Sequence, residues 1–314
     1  MTRRGRVVSA GEALVDLFLK EGASGPQLRV LPGGSSFNVA IGLARLGLDT
    51  SFAGRLSSDV FGRLLTRVLD REGVDASLVQ HGPEPTPMAV VGRTGPDVVY
   101  DFRWIGTADR QYDPAALAPG VFEAFDALHV GSVALGIEPV GARLLALMER
   151  LQGRVFLTFD PNVRRDVVDD WPTYVARVHR AAALADIVKV SDADLTAVDE
   201  TASGTRLPFG RSGPTIVTAG ARGATLLRAG HAPLVMAAAP AAAVDTVGAG
   251  DAAMAALLFA LSEQGLLGPG SIDRVADRTW VEILRFMSTA AAMTCERVGA
   301  DPPILADLRA RLGA

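Results

Sequence analysis

Apolar and polar positions along the chain follow two rhythms. Over residues 6–19, β-branched and aliphatic side chains alternate as in a strand, with a break near Gly11. The pair Gly33-Gly34 then leads into S-S-F-N-V-A-I-G-L-A-R-L-G. There Phe37, Ala40, Ile41, Leu43 and Ala44 recur at helical spacing and Gly47 supplies the stop. A short strand is predicted over 51–56, followed by an amphipathic helix over 59–72 with Ser58 as its N-cap. Residues 88–93 and 98–104 form a predicted hairpin turning at Thr94-Gly95-Pro96-Asp97.

Beyond Asp113 strands and helices alternate. Strands are predicted over 127–130, 155–159, 187–190 and 215–218, and helices over 138–151, 172–184 and 192–198. A second hairpin is expected over 224–236 about Gly230, and the rest is helical, over 248–262, 274–296 and 303–312. This order argues an α/β protein whose parallel sheet is covered by helices on both faces. The extension of the first strand, the stretch 27–31 and the first hairpin make a smaller sheet beside it. A cleft between two such sheets is the expected place for function.

Composition narrows the classes of function. The chain has 314 residues, 49% of them apolar and 21% charged, enough for a large core. A net charge of −4, with arginines interspersed among acids, leaves no basic footprint for nucleic acid or an anionic membrane. The single cysteine, Cys295, excludes an intramolecular disulfide and a cysteine metal cluster and suits a reducing cytoplasm, the expected location. Arg3, Arg4 and Arg6 stand where a signal peptide carries basic residues, but Glu12 and Asp16 interrupt the apolar stretch that would follow. The most apolar segment, 252–261, has about half the length of a bilayer span.

The segment V-D-T-V-G-A-G-D, Val244 to Asp251, runs directly into that apolar segment. A Gly-Ala-Gly turn entering a helix aims unpaired N–H groups at one point, and the helix dipole adds positive charge there. Such an anion hole would hold Asp251 ionised well below neutral pH. A carboxylate beside a bound phosphate makes sense if it accepts the proton of a hydroxyl to which the phosphate is moving. Taken alone, the residues fit an ordinary glycine turn equally well. Gly248, Gly250 and Ala253 also spell G-x-G-x-x-A, but no β-strand with an acidic residue follows, so the dinucleotide-binding reading fails.

Asp245-Thr246-Val247-Gly248-Ala249-Gly250-Asp251 resembles the C-terminal motif of the ribokinase-like (PfkB) carbohydrate kinases. Gly33-Gly34-Ser35-Ser36-Phe37-Asn38-Val39-Ala40, continuing to Gly47, resembles that family's N-terminal motif, and the two lie about 200 residues apart, as in the family. The resemblance implies a three-layer αβα sandwich with a mostly parallel central sheet. It also implies a small β-sheet lid, built from about 12–32 and 86–106, and an ATP-binding half over about 186–314. It implies an enzyme using ATP with Mg²⁺ to phosphorylate a sugar. Asp251 is then the catalytic base, with Gly248, Ala249 and Gly250 as the anion hole. Asp16, Gly33, Gly34 and Asn38 contact the sugar. Read without the family, Asp16 is a solvated strand end.

By the same resemblance, Thr218, Gly220 and Gly223 form the nucleotide turn T-x-G-x-x-G. Ser191 and Asp194 stand where many members carry N-x-x-E near Mg²⁺ and the phosphates, although a helix N-cap accounts for the same residues. Asp245 fits a monovalent-cation site, K⁺ in several members. D-P-N-V-R, ending at Arg164, and F-R-W-I-G-T-A-D, containing Arg103, resemble the fructokinase and 2-keto-3-deoxygluconate kinase branch. They place both arginines near the substrate, with Arg103 over the sugar; Phe102 and Trp104 alternate with it, so that one ring face lines the pocket or a dimer clasp. On residue type alone, Arg164 is equally a surface arginine paired with Asp166 or Asp169. Fructose ranks first as acceptor, 2-keto-3-deoxygluconate second, ribose or a nucleoside third, and a non-catalytic sugar sensor is the reading from another class. Exposed strand faces of the lid suggest a homodimer, a monomer being the alternative.

Overall fold

The computed structural model of the chain describes residues 5–22, 25–94, 97–131, 133–199, 207–273 and 275–313. The expected turn residues Gly95 and Pro96, the expected helix start at Arg274, and Arg3 and Arg4 lie outside them.

The chain begins with β1 (Arg6–Ala10), β2 (Leu14–Gly22), β3 (Gly25–Gly33), α1 (Ser35–Arg45), β4 (Asp49–Ala53) and β5 (Arg55–Ser57). Next come α2 (Val60–Arg71), β6 (Gln80–Gly82), β7 (Met88–Thr94), β8 (Asp97–Arg103) and β9 (Ala127–Gly131). The middle holds α3 (Val140–Leu151), β10 (Phe156–Asp160), α4 (Trp171–Leu184), β11 (Ile187–Ser191), α5 (Asp192–Val198) and β12 (Thr215–Thr218). It closes with β13 (Ala224–Leu227), β14 (Leu234–Met236), α6 (Ala249–Glu263), α7 (Asp277–Cys295) and α8 (Leu305–Leu312).

The large sheet has the order β14-β13-β12-β11-β10-β9-β1-β4. It is parallel from β12 to β4 and antiparallel only at β12-β13-β14. Successive residues of its central strands feed opposite cores. Val8, Leu128, Leu157 and Val188 join the core under α3 and α4, whereas Val7, Ala127, Phe156 and Ile187 join the one under α1, α6 and α7. Burial on both faces is why these strands are largely apolar, interrupted by a few buried polar residues such as Ser9, His129 and Thr158, and it makes the molecule the expected αβα sandwich. Each large aliphatic side chain so buried contributes about 1.5–3 kcal/mol before chain entropy is counted.

The second sheet has the order β3-β2-β7-β8. On one side Val15 and Leu17 pack with Phe37, Phe52 and Leu65. The other side, carrying Leu14, Asp16 and Phe18, faces the cleft. The strand expected over 6–19 divides at its expected break near Gly11 into two strands in two sheets, the first ending at Ala10. The strand expected over 51–56 also divides, because β5 leaves β4 to pair with β6. The N-cap of α2 is Asp59 and not Ser58. Its carboxylate accepts from the Phe61 and Gly62 amides at 2.9 and 2.7 Å.

Two helices set the site. α6 is apolar almost all round and is buried from Asp251 to Phe259, as a helix at the centre of a domain must be. α1 lies directly on it: a Cβ on Gly42 would come within 2.7 Å of the Ala255 Cβ. This close approach carries the first turn of α1 onto the first turn of α6.

Candidate active site

The strands β10, β11 and β12 end at Asp160, Ser191 and Thr218, and all three residues line one cleft of about 670 Å³ between the two sheets. The C-terminal ends of parallel strands are where α/β sheets hold ligands. The small sheet supplies the opposite wall through Leu14, Asp16, Phe18, Ala89, Val91 and Phe102.

The entry of α6 forms one end of the cleft. Gly248 takes the left-handed conformation (φ 77°) and its carbonyl accepts from the Ala252 amide at 2.8 Å. The amides of Gly250 and Asp251 come before that first helical bond, at the positive end of the helix dipole. Gly248 and Gly250 line the cleft, whereas the Ala249 amide is turned back to the Thr246 carbonyl at 3.3 Å.

Asp251 is 9% exposed and lines the same cleft. Its Oδ1 accepts from Ser35 Oγ at 2.6 Å and its Oδ2 from Asn38 Nδ2 at 2.8 Å. The low carboxyl pKa expected from the helix dipole is reversed. Burial pushes it up, Asp160 adds to the rise, and the bonds from Ser35 and Asn38 and the charge of Lys189 oppose it. A base raised in this way, and held by two donors, suits proton acceptance from a hydroxyl. Asn38, expected to touch the sugar, lines the cleft but spends an amide hydrogen on Asp251.

Gly34 caps α1 with φ 101°, and a Cβ there would come within 2.7 Å of the Glu12 carbonyl oxygen. The Glu12 side chain accepts from the Ser35 amide at 2.8 Å. Glu12 and Ser35 were missed as site residues: one read only as a break in an apolar run, and the other stood unused inside the motif that contains Asn38.

Asp16 lies within β2, not at the end of the first strand, and faces the cleft from the small sheet. Burial, with help from Asp251 and Asp245 and opposition from Arg164, lifts its pKa to about 7. Gly33 closes β3 opposite Leu14 and packs against the Asp16 carboxylate. Arg164 follows Asn162, whose φ is 38°, and lines the cleft, with Nη1 donating to the Val163 carbonyl at 2.8 Å. Asp169, a partner considered for it, is taken by Arg110 at 2.5 Å.

Arg103 is not brought to the cleft. It is 60% exposed and pairs with Asp101 at 2.6 Å. Strand alternation puts Phe102 and Trp104 on the cleft side instead, and Trp104 Nε1 is anchored on buried Asp109 at 2.5 Å.

Ser191 and Asp194 both line the cleft. Ser191 Oγ accepts from the Asp194 amide at 3.0 Å, which makes it the N-cap of α5, and burial raises the Asp194 pKa. Thr218 lines the cleft, while Gly220 and Gly223 form the turn from β12 to β13 beside it. The two Asp245 oxygens accept from the Val247 and Gly299 amides at 3.1 and 2.9 Å. Among the described residues no three His, Cys, Asp or Glu side chains are grouped to hold a metal.

One pair on the cleft floor escaped the sequence reading altogether. Lys189 Nζ lies 2.5 Å from Asp160 Oδ2, with the two side chains 4% and 5% exposed. Its signal was a lone lysine inside the apolar run I-V-K-V.

A buried carboxylate at the amide-rich start of a helix, facing an open cleft, is the arrangement of a phosphotransferase acting on an alcohol. The chain belongs to the pfkB family of carbohydrate kinases, whose profile matches residues 4–307. It is an ATP-dependent sugar kinase. The fructokinase of Klebsiella pneumoniae is 35% identical over 273 residues, covering 83% of this chain and 86% of that one. A fructokinase from Vibrio cholerae O395, solved with fructose, ADP and calcium ion bound, superposes with a TM-score of 0.80 at 27% identity, covering 98% of each chain. The ATP-bound fructokinase of Xylella fastidiosa superposes with a TM-score of 0.86 over 99% of this chain and 100% of its own; at 21% identity it speaks for the fold. Among the described residues no helix is long and apolar enough to cross a membrane.

Proposed function

We propose that the protein transfers the γ-phosphoryl group of ATP to a primary hydroxyl of fructose. The observation that carries this reading is Asp251, buried at the glycine-entered start of α6 and held by Ser35 and Asn38. The sugar hydroxyl gives its proton to Asp251 as its oxygen bonds to phosphorus and the bond to the ADP oxygen breaks. Gly248, Gly250 and the helix start collect the charge on the phosphoryl group. Asp16 and Arg164 orient the sugar, and Phe102 and Trp104 give it an apolar wall. Identity to named fructokinases supports fructose as the acceptor.

Thr218 and the Gly220–Gly223 turn border the nucleotide in the half formed by about 186–314, and the small sheet acts as the lid. Asp194 and Ser191 offer hard oxygen donors at the cleft, which fit Mg²⁺ directly or through water. Bound Mg²⁺ neutralises phosphate charge. Asp245, with nearby carbonyls, would hold K⁺. At the lid's outer end Leu19 and Leu28, register partners that are 47% and 58% exposed, support a homodimer through the lid.

The test is ADP release with fructose, 2-keto-3-deoxygluconate, ribose and nucleosides. The highest kcat/KM is expected for fructose. A higher value for 2-keto-3-deoxygluconate would move the assignment to that acid, whose carboxylate the cleft-lining Arg164 can grip with its fork. No turnover with any of them would leave a sugar sensor.

A further inference from the structure

The central strands are largely apolar where they cross the core, and a buried ion pair joins two of them at the floor of the cleft. Lys189 stands on the same face of β11 as Ile187, the face that packs α6. Its side chain therefore runs along that face to the start of α6. A Cβ on Gly250 would lie 3.5 Å from Lys189 Nζ, which puts the ammonium at the edge of the expected anion hole. Asp160, the last residue of the adjacent strand β10, holds it at 2.5 Å.

Behind the pair stands His129 of β9, fully buried, its Nδ1 on Thr158 Oγ1 at 3.0 Å. Burial first, then the charge of Lys189, lower its pKa to about 3, so it stays neutral and does not share the positive charge. For stability alone the pair has little justification. Taking two charges out of water costs several kcal/mol each, and an apolar pair of similar volume is often as stable or more so. A fixed, dry cation beside a helix N-terminus is instead what stabilises charge developing on a phosphoryl group.

We propose that Lys189 is a further catalytic residue, its ammonium touching the transferring phosphoryl group at Gly250, and that Asp160 is the positioning residue that keeps the ammonium there. The inference rests on phosphoryl transfer at Asp251 but not on which sugar accepts. As the phosphoryl group moves from the ADP oxygen to the sugar oxygen, its proton balance is closed by Asp251. Lys189 contributes charge only.

The experiment uses the full chain, ATP and the best acceptor, with Lys189→Met, the neutral pair Asp160→Asn/Lys189→Met, and Asp251→Asn in parallel. Lys189→Met should lower kcat by about 10²–10³-fold, the effect of losing one oxyanion contact. Sugar KM and ADP affinity should change little, while inhibition by ADP with aluminium fluoride, a mimic of the transferring group, should weaken by the same factor as kcat. Should Lys189→Met fail to fold because it strands the Asp160 carboxylate, the neutral pair carries the test. It should melt near the wild type and remain as slow. Turnover close to wild type in the neutral pair, or undiminished aluminium fluoride inhibition, would overturn the role of Lys189. Turnover retained by Asp251→Asn would instead remove the base on which the inference rests, so the two failures are told apart.

Discussion

Asp251 and Asp16 face one cleft as two carboxyls whose pKa values burial raises. Helix polarity had argued the opposite for Asp251. The dipole is worth about 0.3–1 kcal/mol at an exposed position and about 2 in favourable buried geometry, whereas desolvating a carboxylate costs several kcal/mol. The larger effect wins, and the start of a helix whose first turn is buried raises its acid. Asp16 gives this a measurable sign. Its folded pKa, about 7, lies above the unfolded value near 3.8, so its stabilising contribution is complete below pH 3.8 and is lost as pH rises through 7. Melting of the ligand-free protein from pH 4 to 8 should show wild type losing stability relative to Asp16→Asn across that window. Parallel curves for the two proteins would mean that Asp16 is not raised. The family resemblance marked Asp16 and Asp251 as acids of one site, but the sign of their shifts depends on burial, which no short motif encodes.

Among the elements, α1 does the most positioning. Its first turn supplies Ser35 and Asn38 to Asp251, and its start depends on Gly34. An alanine at 34 needs a φ of 101° and meets the Glu12 carbonyl oxygen at 2.7 Å. Gly34→Ala should therefore destabilise by more than about 1 kcal/mol and depress kcat, because the helix start must shift away from Asp251. A variant with wild-type melting temperature and kcat would show that α1 tolerates another entry. The helix was legible from its 3.6-residue period and its flanking glycines. The strand beside it was legible with its break near Gly11 and its extension into the smaller sheet. β1 is buried on both faces and β2 on one, and period alone does not say which side of β2 meets the cleft. Arg103 was misplaced for a related reason. Sequence neighbours on a strand face opposite ways, so Phe102 and Trp104 could take the cleft only if Arg103 left it.

At the scale of the whole molecule, the parallel sheet brings the ends of β10, β11 and β12 to the cleft, and α1 and α6 deliver their N-termini to the same place. The alternation of strands and helices made that plan readable, and the two glycine motifs pointed to its contact. Asp160 and Lys189 were not readable as a pair, because their meeting depends on β10 and β11 being neighbours and on the side each side chain takes. The central claim is that a proton passes from the sugar hydroxyl to Asp251. The most direct measurement is kcat of Asp251→Asn with ATP and fructose, beside its melting temperature and sugar KM. A loss of about 10²–10⁴-fold in kcat, the range of a general base, with fold and sugar binding kept, is the predicted result. A kcat close to wild type in the folded variant would contradict it.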